Sequence, residues 1–296
     1  MMYLADRLAG GVWGHLVGDA IGVPYEFTRA EAIQRVEWGH RGTHGQPAGT
    51  WSDDGALMLA LLDSLLSRGF DIEDQGRRAM RWLDENAYAP GPLFDIGNTT
   101  HGALQRLKRG VRASEAGLAG EADNGNGSLM RILAVALVDR HRSLEELVEH
   151  AMQASALTHR HPRAQVACAV YCVIARSLLR GEPREDGFAR ALESVRGLVS
   201  GPHHSELVTI EDFAAPSGSG YVVDTLWSAW TAFAASRSYA ETIERAIQFG
   251  SDTDTTAAVA GGLAGIYWGR SGIPAEWLSA LRGREIVEPL VARLLT

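Results

Sequence analysis

The sequence predicts an all-α protein, and three observations carry that expectation. Apolar residues recur at helical spacing in most segments, helix caps precede several of those runs, and alternating strand patterns are scarce. Leu57, Met58, Leu61, Leu62, Leu65 and Leu66 form one apolar stripe behind Asp53-Asp54. Ser143 and Glu146 read as a capping box before Leu144, Leu147, Val148 and Ala151, and Ser238 and Glu241 repeat the pattern before Ile243 and Ile247. Pro162 suits the first turn of a helix running to about Leu179. Residues 257–268 read as another, mostly buried helix. The weak strand candidates are Val208–Ile210 and Tyr221–Val223. The longest apparent loop is 200–220, marked by Pro202, Pro216 and Gly218-Ser219-Gly220. We expect ten or more helices in a single domain spanning 1–296, with no internal repeat or linker.

Bulk properties narrow the function classes. With 46% hydrophobic and 22% charged residues the 296-residue chain can build a real core. A net charge of −8 with no long Lys/Arg run disfavours nucleic acid and anionic membranes as partners. The most apolar stretch, 166–179, is too short to span a bilayer and contains Arg176. Asp6 and Arg7 near the start do not fit a secretory signal. Cys168 and Cys172, four apart in an apolar run, read as buried free thiols. The expected location is cytoplasmic.

Four polar segments stand out, each leading into a helix. Ser52-Asp53-Asp54 and Asp252-Thr253-Asp254-Thr255 are rich in hard oxygen donors, which suit Mg²⁺ or Mn²⁺. Either alone serves equally well as a helix N-cap. Together they hold four carboxylates, more than capping uses, and enough for two cations about 4 Å apart. The third segment is 95–100, beginning with Asp95-Ile96-Gly97-Asn98; the fourth is 124–131, Asn124-Gly125-Asn126-Gly127-Ser128-Leu129-Met130-Arg131. Backbone N–H groups in such loops can cradle phosphate, although Asn-Gly pairs are also common turns. His159 and His161, flanking Arg160, make a poor zinc pair, and His203-His204 reads as solvated. Trp51, beside Ser52, is a candidate cleft wall.

Taken in order, these segments resemble the ADP-ribosylglycohydrolases, most closely the branch that activates dinitrogenase reductase. The likeness starts at 14–27, which includes Gly18-Asp19-Ala20-Ile21-Gly22 and Tyr25-Glu26-Phe27. It continues through the four segments, Thr158-His159 and Gly218-Ser219-Gly220-Tyr221, nearly end to end. It implies an orthogonal all-α fold and two Mg²⁺ or Mn²⁺ ions. By position it implies Ser52, Asp53, Asp54, Asp252, Asp254 and Thr255 as metal ligands, with Glu26 and Asp95 as catalytic carboxylates. It further implies Asn98, Gly125, Asn126, Gly127, Ser128, Leu129, Met130, His159 and Tyr221 as substrate-binding residues, Tyr221 by stacking on adenine. The implied reaction releases ADP-ribose from a modified protein or small molecule, by cleavage of an N- or O-glycosidic bond. Nucleic acid enters only as a modified substrate. The alternatives are a structural or catalytically altered relative that binds ADP-ribose, and a two-metal phosphoester hydrolase acting on nucleotides. Two departures matter: Ser52 stands where the family commonly has Thr, and Gly55 where it often has Thr. If a hydroxyl at 55 supports the metal shell, its loss weakens binding about 10-fold.

Overall fold

The computed structural model describes residues 3–40 and 42–296. These form fifteen α-helices with short 3₁₀ turns and, among the described residues, no strand beyond isolated bridges. The helices are α1 (Leu4–Gly22), α2 (Asp53–Arg68), α3 (Ile72–Glu85), α4 (Asn98–Lys108), α5 (Ala113–Ala116), α6 (Leu133–Val138), α7 (Leu144–Ala156) and α8 (Pro162–Leu179). They continue with α9 (Gly187–Arg196), α10 (Pro202–Glu211), α11 (Val222–Ala234), α12 (Tyr239–Ile247), α13 (Thr253–Trp268), α14 (Ala275–Ala280) and α15 (Arg284–Leu295). The all-α expectation is met.

Local signals explain most boundaries. The Ser143–Glu146 box closes in both directions at the head of α7. At α12 only half forms: Ser238 Oγ accepts from Glu241 N, while the Glu241 carboxylate accepts from Arg237 N. Pro162 is the first residue of α8, and Cys168 and Cys172 are buried, unpaired thiols within it. The strand candidates are overturned. Val208–Ile210 lies inside α10, and Tyr221 is the N-cap of α11. Short β-branched runs carry too few residues to separate the two periods. Here Leu207 and Ile210, one turn apart, are buried while Val208 is exposed. The expected 200–220 loop therefore contains a helix, and its irregular part is 212–220. His203 is half-buried in α10, its Nε2 lying 3.2 Å from Gln165 Oε1; His204 is exposed.

The core is one continuous apolar cluster from Leu8 to Leu294. Its axis is the antiparallel pair α1 and α13. A Cβ placed on Gly10 would lie 2.1 Å from Gly265 O, on Gly14 2.4 Å from Gly261 O, and on Gly18 2.2 Å from Ala257 O. The i, i+4 glycine stripe of α1 thus lets two buried helices touch backbone to backbone. Their direction brings the end of α1 to the head of α13, where the acidic residues are.

Candidate active site

Three helix ends converge. At the end of α1, a Cβ on Gly22 would lie 2.4 Å from Asp254 Cα, and Thr253 Oγ1 donates to Gly22 O at 2.8 Å. The chain leaves α1 through the 3₁₀ turn Val23–Tyr25 and reaches Glu26. Its next residues pair with those before Asp252: Phe27 N donates to Ser251 O at 2.6 Å, and Ser251 N to Thr28 O at 2.8 Å. Glu26, Asp252 and Asp254 are thereby held with carboxylate oxygens within 4.8 Å of one another. The head of α2 completes the set. Ser52 caps it through Asp54 N, and Thr255 Oγ1 donates to Asp54 Oδ1 at 3.3 Å, joining clusters 200 residues apart.

Asp19 orients the head of α2. Projecting from α1 and fully buried, it accepts Ser52 N at 2.9 and 3.1 Å and Gly55 N at 2.8 Å. Burial, offset by these bonds, raises its carboxyl to about 7. Gly55 faces inward. A Cβ there would meet Leu16 Cδ2 at 2.7 Å and the Trp51 ring at 2.8 Å. A side chain at 55 would therefore enter the core, so no hydroxyl is lost from the donor set. Trp51 is equally internal, 1% exposed with Nε1 donating to Tyr88 O, and does not line the cleft.

The donor set has the electrostatics of a cation site. Glu26, Asp53, Asp54 and Asp254 are buried. Burial first, and mutual repulsion second, lifts Asp53, Asp54 and Asp254 well above the usual carboxylate range and Glu26 to about 9. Asp54 Oδ2 and Asp254 Oδ2 have no hydrogen-bond partner. Orphaned, mutually repelling carboxylate oxygens are costly without a counter-charge. Hard divalent cations satisfy both deficits, so these residues fit Mg²⁺ or Mn²⁺.

A cleft of about 250 Å³ opens over this set. It brings together Glu26, Asp53, Asp54, Asp95, Asn98, Gly125, Asn126, Gly127, Met130, His159, Asp252 and Thr255. Asp95, in a left-handed conformation (φ 50°), enters just ahead of α4, and burial raises its carboxyl. Asn126 ties the loop to the donors: its Nδ2 reaches Asp252 Oδ2 at 2.8 Å and Thr225 Oγ1 at 2.9 Å. Gly127 must lack a side chain, because a Cβ would lie 2.8 Å from Thr100 Oγ1 and 2.9 Å from His159 Cε1.

His159 is held by a buried hydrogen-bond chain. Buried Arg131 donates to Gly127 O, to Ala154 O at 3.0 Å and to Thr158 Oγ1 at 2.8 Å. Thr158 Oγ1, which accepts from Arg131, also hydrogen-bonds His159 Nδ1, 2.8 Å away. With the Thr158 hydroxyl donating in that bond, its one proton is used there and the imidazole proton resides on Nε2. Burial pulls His159 down to about 3, so the ring is a neutral donor at any ordinary pH.

Several expected residues are not on the cleft surface itself. Ser52 and Asp254 lie beneath it, Ser52 at the head of α2 and Asp254 within the carboxylate group. The Ser128 side chain points inward, its Oγ accepting from Ser155 Oγ at 2.8 Å, and Leu129 is fully buried in the core. Tyr221 is half-buried, with its ring 6.1 Å from Phe213 and 5.9 Å from the Arg163 guanidinium. Sequence reasoning missed Asp19 and His44 as site residues. Asp19 had a signal, a carboxylate inside an apolar helix. His44 had none; its Nε2 hydrogen-bonds Glu26 Oε2 from an irregular segment. A separate groove of about 470 Å³ lined by Phe188, Trp227 and Trp230 contains none of the expected site residues.

A buried oxygen-donor set thus lies under a glycine-rich loop on an all-α scaffold. The ADP-ribosylglycohydrolase family model matches residues 2–296, and the chain belongs to that family. The ADP-ribosylarginine hydrolase Tri1 of Pseudomonas putida (strain GB-1) is 31% identical over 98% of this chain and 78% of its own length. The ADP-ribosyl-[dinitrogen reductase] glycohydrolase of Rhodospirillum rubrum is 30% identical over 93% of this chain and 90% of its own. A solved ADP-ribosylglycohydrolase-related protein complex superposes with a TM-score of 0.83 at 35% identity, covering 100% of this chain and 99% of that one.

Proposed function

We propose that this enzyme removes ADP-ribose from a modified arginine by hydrolysing the N-glycosidic bond at the anomeric carbon, using two Mg²⁺ or Mn²⁺ ions. The observation that carries the reading is the convergence of Glu26, Asp252 and Asp254 with Asp53 and Asp54 around orphaned carboxylate oxygens. The arginine linkage is supported by the activity named for the Pseudomonas relative. We further read 1–296 as one domain, supported by the single core, and place the protein in the cytoplasm, supported by its two buried free thiols. Among the described residues no helix is long and apolar enough to cross a membrane.

Ser52, Asp53, Asp54, Asp252, Asp254 and Thr255 would hold the cations, with Glu26 at their edge. When bound, the cations supply positive charge for the ribose hydroxyls and for a water. The remaining work falls to side chains and backbone. The 124–131 loop and the neutral Nε2–H of His159 offer donors to the diphosphate, and Gly127 lets backbone approach it. Asp252 is oriented by Asn126. Glu26 and Asp95 are placed to move protons. The water oxygen bonds to the anomeric carbon, and one water proton passes to a carboxylate. The carbon–nitrogen bond breaks with its electron pair left on nitrogen, which takes a proton. The transition state is cation-like at the sugar, and the surrounding carboxylates stabilise that charge.

The test is ADP-ribose release from an ADP-ribosylated arginine substrate, with metal and with excess EDTA. Release that requires metal and yields intact ADP-ribose supports the reading. Undiminished release in EDTA sinks the metal assignment, and AMP or phosphate as product points instead to phosphoester hydrolysis.

A further inference from the structure

Phe27 follows Glu26 directly, yet its ring is 68% exposed and its φ is 62°. A bulky residue rarely adopts that left-handed conformation. The reciprocal backbone bonds to Ser251, and the Arg29–Gly250 bridge beyond them, hold it there. The ring is thus fixed at the mouth instead of folding inward. It borders two concavities. One is the carboxylate-lined cleft, and the other is an open groove of about 770 Å³ that also contains Arg29 and Phe249. The Phe27 ring is 5.9 Å from His44, whose ring is 5.2 Å from Phe94. Glu26 and Asp95 stand beside these rings, with ligating atoms within 4.8 Å of His44. Aromatic faces backed by carboxylates attract a planar cation and repel an anionic diphosphate.

We propose that Phe27 is a specificity-determining residue that contacts the leaving group, stacking on the guanidinium of an ADP-ribosylated arginine where that side chain passes from the cleft toward the second groove. This rests on the ADP-ribosyl hydrolysis reading above. The orientation follows from charge. The diphosphate goes to the 124–131 loop with its N–H donors, and the cationic end to the acidic and aromatic mouth at Phe27.

The experiment compares wild type, Phe27→Ala and Phe27→Tyr on two peptides, one ADP-ribosylated on arginine and one on serine, whose leaving group is neutral. Calorimetric affinity for ADP-ribose, which lacks any leaving group, is measured alongside. Phe27→Ala should lower kcat/KM on the arginine peptide about 10-fold, mainly through KM, the scale of one partly desolvated cation–π contact. ADP-ribose affinity and any serine activity should stay within about twofold, and Phe27→Tyr should retain arginine activity. A fall in ADP-ribose affinity matching the fall in activity overturns the proposal, because the ring then serves the fold or the nucleotide. Unchanged arginine kinetics overturn it too, while leaving the hydrolase reading intact. Wild type that cleaves serine and not arginine rules out the cationic leaving group alone. Wild type inactive on both peptides with metal present removes the hydrolase reading and this inference with it.

Discussion

Asp19 offers a quantitative test of how the donor set is built, because two effects of one substitution oppose each other. Asp19→Asn keeps the shape and one acceptor oxygen but removes the charge. In the metal-free protein the raised carboxyl, about 7 against an ordinary 3.8, shows that the ionised group is disfavoured by about three pH units. At about 1.36 kcal/mol per unit this is on the order of a few kcal/mol at pH 8, already net of the bonds from Ser52 N and Gly55 N. Losing one charge-assisted acceptor costs about 1.5–3 kcal/mol. Metal-free Asp19→Asn should therefore be as stable as wild type at pH 8, or more so. Metal binding should move the other way. Asp19 fixes the helix head that carries Asp53 and Asp54, and loss of such a supporting group typically costs about 10–100-fold in metal affinity. Thermal melts at pH 8 without metal, and Mn²⁺ titration by calorimetry, read the two effects separately. Unchanged Mn²⁺ affinity in a folded Asp19→Asn protein would refute the orienting role, and a metal-free melt well below wild type would refute the energetic balance.

Two further outcomes follow from the same geometry. In the folded, metal-free state Glu26 and Asp19 bind protons up to about pH 9 and 7, while in the unfolded chain they release them near 4.5 and 3.8. Below about pH 6.5 the burial-lowered His15 and His159 oppose this, because the unfolded chain protonates them first. From about pH 6.5 to 9 the folded state holds more protons, and stability falls as pH rises; the metal-free melting temperature should drop across this upper range, and excess Mg²⁺ should flatten the slope, whereas a metal-free curve that rises there would contradict the buried-acid account. Thr158→Val removes the hydroxyl that links Arg131 to His159 Nδ1, so the imidazole proton is no longer confined to Nε2; ADP-ribose affinity should fall about 10-fold, the worth of one hydrogen bond, with Mn²⁺ affinity unchanged, and equal ADP-ribose affinity by calorimetry would remove His159 as a donor.

Much of the fold was legible because helical periodicity and caps are local. The α2 stripe and the Ser143–Glu146 box needed no distant partner. The errors fell where local signals are short. Val208–Ile210 was ambiguous over three residues, and packing of Leu207 and Ile210 decided it. The donor clusters were legible as residue types, since repeated carboxylates at helix heads exceed what capping uses. Where each side chain points was not: Ser128 and Leu129 lie in the motif, yet a turn of backbone aims them into the core.

What joins the site is a feature the motifs do not contain. The glycines at 10, 14, 18 and 22 announce that some backbone approaches α1 closely, but a stripe of missing side chains cannot name its partner. The partner is α13, whose own Gly261 and Gly265 meet it. The antiparallel direction then carries Glu26, one 3₁₀ turn beyond the end of α1, to Asp252 and Asp254 at the head of the other helix. Asp19, on the same helix as the stripe and one residue beyond Gly18, turns instead toward α2 and fixes Asp53 and Asp54. One helix therefore sets both halves of the donor set, through contact on one face and hydrogen bonding on another. Oxygen donors from segments 200 residues apart can act as one site because α1 leaves them no independent freedom.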